Sequence, residues 1–290
     1  MKKEWLIGYT FTLPSIVLLI ILVIYPLFLT LNYSLSDMSL TSSRYLGWSA
    51  YNKLFNNKML PLVFKNSIIW TVLVVFFQLL LGLGSALVLN KPFWGRSLVR
   101  GIMILPWVMP GVVAGMVWRL IYDPQLGLLN HYLKSLGIID QYLTWLSVPG
   151  SAIYAVIFSA IWKGFPFSML MYLAGLQGVP AELYEAANID GAGKWKQFFY
   201  VTLPSMQPII TITFLLTFIW TFNYFELIYV MTGGGPAEST HIFPTYVYDL
   251  AFKRFRFGDA SRFAIFDFLF LLIFSLFYVW LSQRQKRMEQ

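Results

Sequence analysis

The chain has 290 residues and a formal net charge of +8; 58% of it is hydrophobic, 12% charged, and its mean hydropathy is +0.65. A soluble domain carries about twice that charged fraction, so composition excludes an ordinary water-soluble enzyme and points to an integral membrane protein. No cysteine is present, which excludes disulfides and thiolate metal sites.

The two histidines, His131 and His241, lie far apart in sequence, so no metal centre is expected. Basic residues are scattered rather than gathered, which argues against nucleic-acid binding. Aromatics reach 19%, as expected of belts at both membrane surfaces.

Six apolar runs are long enough to cross a hydrocarbon core, which takes about 20 helical residues. In chain order they are Leu6–Leu31, Leu62–Leu89, Leu98–Tyr122, Ser151–Leu176, Ser205–Met231 and Phe263–Leu281. The first is too long for a cleaved signal and reads as a retained helix. None alternates as a barrel strand would. The expected fold is therefore all-α: a single transmembrane domain over residues 1–290 with six spans. Pro14, Pro26, Pro106, Pro110 and Pro166 fall in or near the spans, where proline frees backbone carbonyls and permits kinks. An even number of spans puts both termini on one side. Basic residues divide evenly between the two sides. The segments on the side of the termini are shorter, so their basic density is higher, and that side is expected to be cytoplasmic.

Between the fourth and fifth spans lies a polar patch, "ELYEAANIDGAGKWKQFFYVTLPSMQP", Glu182–Pro208. Pro180 suits a first helical turn. Glu182 and Glu185 follow near that helix start, where carboxylates complement the dipole. Ala186 and Ala187 present a small surface. Gly191 and Gly193 break the helix. Trp195, Phe198, Phe199 and Thr202 then recur at helical spacing until Pro204, which is expected to stop the pattern. The result is two short helices joined by a glycine elbow.

This spacing resembles the "EAA" loop of ABC importer permeases. The family pattern falls on Glu185, Ala186, Ala187, Gly191, Val201, Leu203 and Pro204, with Val201 where isoleucine is commoner. The resemblance extends to "GRSLVRGIMILPWVMP" (Gly95–Pro110), like the family's second cytoplasmic turn and third helix, and to "WRLIYDPQLGLLN" (Trp118–Asn130), like the outer loop of sugar permeases. It extends also to "YLAGLQGVPAELYEAANIDGAG", close to the carbohydrate branch, and to "FNYFELIYVMTGGGPAEST" (Phe222–Thr240), which resembles the subunit that in maltose and glycerol-phosphate importers pairs with a second, different permease. It implies a type I importer permease fold in a bacterial or archaeal inner membrane. It also implies a coupling loop at about 178–204 that docks on an ATPase, with Glu182, Glu185, Ala186, Ala187, Asp190 and Gly191 carrying the contact. The implied partners are a second, homologous permease, a cytoplasmic ATPase dimer and an extracytoplasmic substrate-binding protein. The chain itself shows no Walker-type phosphate loop, since Gly233–Gly235 lack the following Gly-Lys-Ser/Thr. No catalytic residue and no cofactor are expected in it; ATP and Mg²⁺ belong to the partner ATPase. The glycine run reads as a flexible turn.

Charges inside a membrane are expensive and usually functional. Lys163 lies near the middle of the fourth span. Two readings stand side by side: a donor to substrate, or an ion-pair partner of Asp267 or Glu226. Sugars are held by aromatic faces and planar polar groups, and the fifth span offers Trp220, Asn223, Tyr224 and Glu226 within two turns. The fourth adds Trp162, Lys163, Phe167 and Tyr172. Asn223 ranks first among these, because an amide in hydrocarbon needs a partner. The basic segment "AFKRFRFGD" (Ala251–Asp259) reads as an interfacial stretch. Two other cargo readings follow: the same machinery with an anionic substrate such as glycerol phosphate or an acidic oligosaccharide, or a self-contained secondary carrier. The carrier reading lacks midplane carboxylates and repeated halves.

Overall fold

The computed structural model describes residues 12–288, with side chains through Arg284. The start of the first run at Leu6, with Lys2 and Lys3, and the side chains of Lys286 and Arg287 lie outside the described residues. The helices are α1 (Thr12–Ser34), α2 (Ala50–Phe55), α3 (Met59–Asn90), α4 (Arg96–Val108), α5 (Gly111–Ile121), α6 (Leu128–Ser135), α7 (Ala152–Gln177), α8 (Ala181–Ile189), α9 (Lys194–Gln197), α10 (Gln207–Phe222), α11 (Glu226–Met231), α12 (Phe243–Tyr248) and α13 (Phe257–Met288). Among the described residues five helical stretches are long and apolar enough to cross a membrane, or six if the bent pair α4–α5 is one span. A small antiparallel hairpin, β1 (Ser36–Met38) with β2 (Ser43–Tyr45), pairs Ser36 with Tyr45 and Met38 with Ser43.

The chain clusters into two compact units. One comprises the described residues up to Pro61 together with Tyr246–Ile273. Its anchor is Arg262, a fully buried cation. The guanidinium donates to the carbonyls of Ser34 (3.3 Å) and Ser36 (2.9 Å), which end α1 and open the hairpin, and it pairs with Asp259 one turn earlier on α13. Gly258 makes the approach feasible: a Cβ there would lie 2.3 Å from the Ser36 carbonyl oxygen. Asp37 and Lys53 pair at 2.6 Å across the surface, and Phe55 meets Phe266 edge to face. The "AFKRFRFGD" segment is no continuous interfacial helix. It is a π-helical turn, Asp249–Lys253, then a break before α13, pinned by ion pairs from Asp249 to Lys253 (3.5 Å) and Arg254 (2.5 Å).

The other unit comprises Leu62–Thr245 with the residues from Phe274 onward. Here α3 and α7 approach closely because Gly82 faces Ser168 and Met169; a Cβ at Gly82 would meet the Ser168 Cβ at 2.6 Å. Small residues at interfaces are the general device by which membrane helices pack without a hydrophobic drive between them. On α5 the buried residues Gly111, Ala114, Gly115 and Trp118 recur at helical spacing and receive α11, with Val230 filling the space above Gly115. Phe218 stacks on Phe274 at 3.9 Å, tying α10 to the far half of α13.

Two spans are less regular than their sequences predict. The third run is not one helix: α4 and α5 meet at a 97° bend at Met109–Pro110. Proline has no N–H to continue the ladder and biases the preceding residue toward extended backbone, and Met109 adopts ψ 132°. The fifth run breaks at residues 223–225, between α10 and α11. Pro204, by contrast, does not stop its helix. A five-residue π-helical stretch, Phe198–Thr202, precedes it, and the helix resumes at once through Leu203–Ser205. Widening the turn removes the clash between the proline ring and the preceding carbonyl. The same arrangement, π-helix Ile20–Ile24 followed by Pro26, occurs in α1.

Candidate functional site

Two features stand out: the elbow after α7 and a cavity among α3, α4, α7 and α10.

The elbow is a Schellman motif. The N–H of Ala192 reaches the Ala187 carbonyl at 2.8 Å and that of Gly191 reaches Asn188 at 3.0 Å. Gly191 takes φ +73°, the left-handed conformation such a cap demands. Gln197 then clamps both arms, its amide donating to Asn188 Oδ1 (2.6 Å) and to the Ala192 carbonyl (2.9 Å). Tyr184 and Thr202 hydroxyls meet at 2.9 Å, fastening α8 to the helix that leads into α10. Hydrogen bonds thus fasten α8 to the next helix where a loose loop would leave it free. Glu182, Glu185, Ala186, Asp190 and Gly191 are exposed and Ala187 is half-buried. Ile189 is 87% exposed and Trp195 79%. Large apolar side chains left open on a fastened elbow mark an interaction surface.

The cavity holds about 110 Å³ and is walled by Trp70, Trp107, Phe167, Trp220 and Tyr224, with Gln78, Lys163, Thr217 and Thr221 as its polar members. Phe167 and Trp220 meet edge to face at 4.9 Å, and Trp70 and Tyr224 lie 6.1 Å apart. Each polar group is placed by a local cause. Trp70 Nε1 donates to the Thr221 carbonyl (2.9 Å), beside the break that ends α10. Gln78 donates to the Ala160 carbonyl (2.9 Å), and Gly164 makes room for it, since a Cβ there would meet the Gln78 amide at 2.0 Å. The Thr217 hydroxyl is buried and without a hydrogen-bond partner among the described residues. Lys163 forms no hydrogen bond and no ion pair among the described residues. A broken helix beside a cavity between spans is an arrangement in which transporters expose backbone and side chains to cargo.

Of the residues singled out from sequence, the structure brings Lys163, Phe167, Trp220 and Tyr224 together in this cavity. It does not bring in Tyr172, which is buried in a separate apolar cluster, nor Trp162, Asn223 or Glu226. Trp162 packs on Trp118 at 5.5 Å in the apolar core. Asn223 caps α10, exposed, with its amide turned back on the Ile219 carbonyl at 3.4 Å; its own helix supplies the partner an amide in hydrocarbon needs. Glu226 begins α11 beside Gly111, where a Cβ would strike its carboxylate at 1.7 Å. Sequence reading missed Gln78, Trp70, Trp107, Thr217 and Thr221. The one available signal was Gln78, a polar amide inside an apolar run.

At the end of α7 opposite the elbow, the glycine run is no flexible turn. Gly233 N–H bonds the carbonyls of Ile228 (3.0 Å) and Tyr229 (3.1 Å), and the Thr240 hydroxyl bonds the Gly235 carbonyl at 2.8 Å. Nearby, Asp123 accepts from the backbone N–H groups of Leu126 and Gln125, which hold its carboxyl below the usual carboxylate range. Asn130 is a buried hub bonding Leu143 and Trp145.

The family described as "Binding-protein-dependent transport system inner membrane component" matches residues 78–287. The chain is 33% identical over 282 residues to the trehalose/maltose transport system permease protein MalF of Thermococcus litoralis, covering 96% of this chain and 94% of that protein. It is 33% identical over 255 residues to the sulfoquinovosyl glycerol transport system permease protein SmoG of Agrobacterium fabrum, covering 87% and 82%. Among solved structures it superposes, with TM-score 0.84 and 25% identity over 98% of this chain and 96% of the other, on a bacterial ABC transporter involved in the import of the acidic polysaccharide alginate.

Proposed function

We infer, from the premise that this chain belongs to the binding-protein-dependent transport system inner membrane component family, that it is one of two permease subunits of an ATP-driven saccharide importer. As a multi-pass membrane permease subunit it is not itself an enzyme. ATP and Mg²⁺ are bound and turned over by a separate ATPase dimer, and a binding protein delivers cargo from outside. The termini and the elbow face the cytoplasm. Family membership displaces the self-contained carrier reading. The observation that carries the inference is the fastened elbow with its exposed Glu185, Ala186, Ile189 and Trp195. Nucleotide-driven closure of the ATPase pushes on α8. The Tyr184–Thr202 and Gln197 contacts pass that motion into α10, whose broken end borders the cavity. A site of about 110 Å³ is smaller than the 300 Å³ or more of an ordinary ligand pocket. One chain therefore supplies half of a pathway, and a second permease supplies the rest. Aromatic walls with a few fixed polar groups suit the C–H faces and hydroxyls of a sugar, in keeping with the cargo of the relatives.

The test is coupling. Glu185→Lys or Gly191→Pro abolishes binding-protein-stimulated ATP hydrolysis in the reconstituted assembly while membrane insertion is retained. Undiminished coupling in both variants contradicts the docking role.

A further inference from the structure

Lys163 is the only basic side chain lining the cavity. It sits one helical turn from Phe167 and beside Gly164, where the helix carries no side chain of its own to cover it. Its ammonium has neither a hydrogen bond nor an ion pair among the described residues. The charge of Glu226, an exposed residue, acts on it only from beyond ion-pair distance. A cation at membrane depth is costly to keep without a partner, and other lining groups are also unspent: the Thr217 hydroxyl has no partner, and none is formed by the Tyr224 hydroxyl among the described residues. The Gln78 amide, already donating to Ala160, presents its oxygen as an acceptor. The cavity therefore offers one positive charge, one acceptor and hydroxyls from Thr217, Thr221 and Tyr224 between aromatic walls.

We propose that this cavity selects an acidic saccharide, with Lys163 receiving a ring-borne carboxylate, sulfonate or phosphate while Trp220 and Tyr224 stack against the ring. This rests on the saccharide reading above and narrows it to one class of cargo. A neutral sugar would leave the cation without a counter-charge on closure, when water leaves the cavity and electrostatic interactions strengthen. The anionic group supplies that counter-charge, and charge-assisted hydrogen bonds are about twice as strong as neutral ones.

The test uses the full chain purified with its partner permease. Quenching of cavity tryptophan fluorescence is titrated with an oligogalacturonate and with the neutral galacto-oligosaccharide of equal length. The expected result is at least tenfold tighter binding of the acidic ligand. That preference is lost in Lys163→Met, kept in Lys163→Arg, and weakened by salt. Lys163→Met keeps the side-chain volume, and an unchanged thermal midpoint checks its fold. Equal binding of both ligands, lost in Trp220→Ala, overturns the acidic preference and leaves the saccharide reading standing. Binding of neither ligand, or binding indifferent to both Lys163→Met and Trp220→Ala, overturns the saccharide reading itself.

Discussion

Arg262 shows how a single residue can organise a whole segment. Its head is buried, its hydrogen bonds end on the carbonyls of Ser34 and Ser36, and Asp259 balances its charge. Removing one member of a buried pair typically costs about 3–5 kcal/mol when the other charge is left uncompensated; here Arg256 still pairs with Asp259, so the loss falls mainly on the freed Ser34 and Ser36 carbonyls. Arg262→Ala is expected to lower stability by about 2–3 kcal/mol in detergent-denaturant titrations; a loss below about 1 kcal/mol would contradict the anchoring role. Asp37 behaves differently. The hydrogen bond and charge of Lys53 hold its carboxyl below the usual carboxylate value, with Arg262 and Arg256 adding to the effect. A depressed carboxylate stabilises above its unfolded pKa of about 3.9 and loses that contribution as pH falls through the lower folded value. Both partners are 51% exposed, so the contribution is about 0–1 kcal/mol. Lys53→Met should therefore lower hairpin exchange protection slightly at neutral pH and progressively less as acid takes the solution below the unfolded carboxylate value of about 3.9; an effect that does not diminish with acid would refute the pairing. At this scale Lys163 was legible, because a charge in an apolar run is conspicuous. Gln78 carried the same kind of signal, a polar amide in an apolar run; Thr217 was not legible, since single hydroxyls are common in spans, and Trp70 and Trp107 were hidden among 11 tryptophans.

At the scale of elements, the sequence pattern located every span but not its interruptions. Runs of hydrophobicity report how much chain enters hydrocarbon; they carry no information on whether the helix stays straight. Pro110 bends its run by 97°, Pro166 leaves α7 continuous, and Pro204 is absorbed by a π-helical turn. The difference lies in whether neighbouring turns can widen, which depends on packing rather than on local sequence. Glycines divide in the same way. Gly82→Ala places a methyl group 2.6 Å from Ser168 and 2.9 Å from the Met169 backbone, and should destabilise by about 1–3 kcal/mol through overpacking. Gly84→Ala meets open space and should be neutral or stabilising by up to about 1 kcal/mol. Thermal unfolding of the two purified variants compares them directly; equal losses would contradict the close α3–α7 contact. The elbow, in contrast, was readable in advance, because its cap needs glycine at one position and its motif has fixed spacing.

For the whole molecule, the account joins a handle to a cavity. The elbow is fastened by side-chain hydrogen bonds to the helix that leads into α10, and α10 ends in a break at the cavity wall. Fold class and partner type followed from composition and from the elbow motif. The cavity did not, because it is assembled from four helices whose mutual placement no local pattern encodes. The chain contains no cysteine, so one introduced at exposed Ala186 is a unique probe of the central claim. In the assembled transporter, Ala186→Cys should cross-link to the ATPase subunit, with a yield that changes between nucleotide-free and ATP-bound states. Labelling of that cysteine only from the outer side, or active transport with no cross-link to the ATPase in either state, would contradict it.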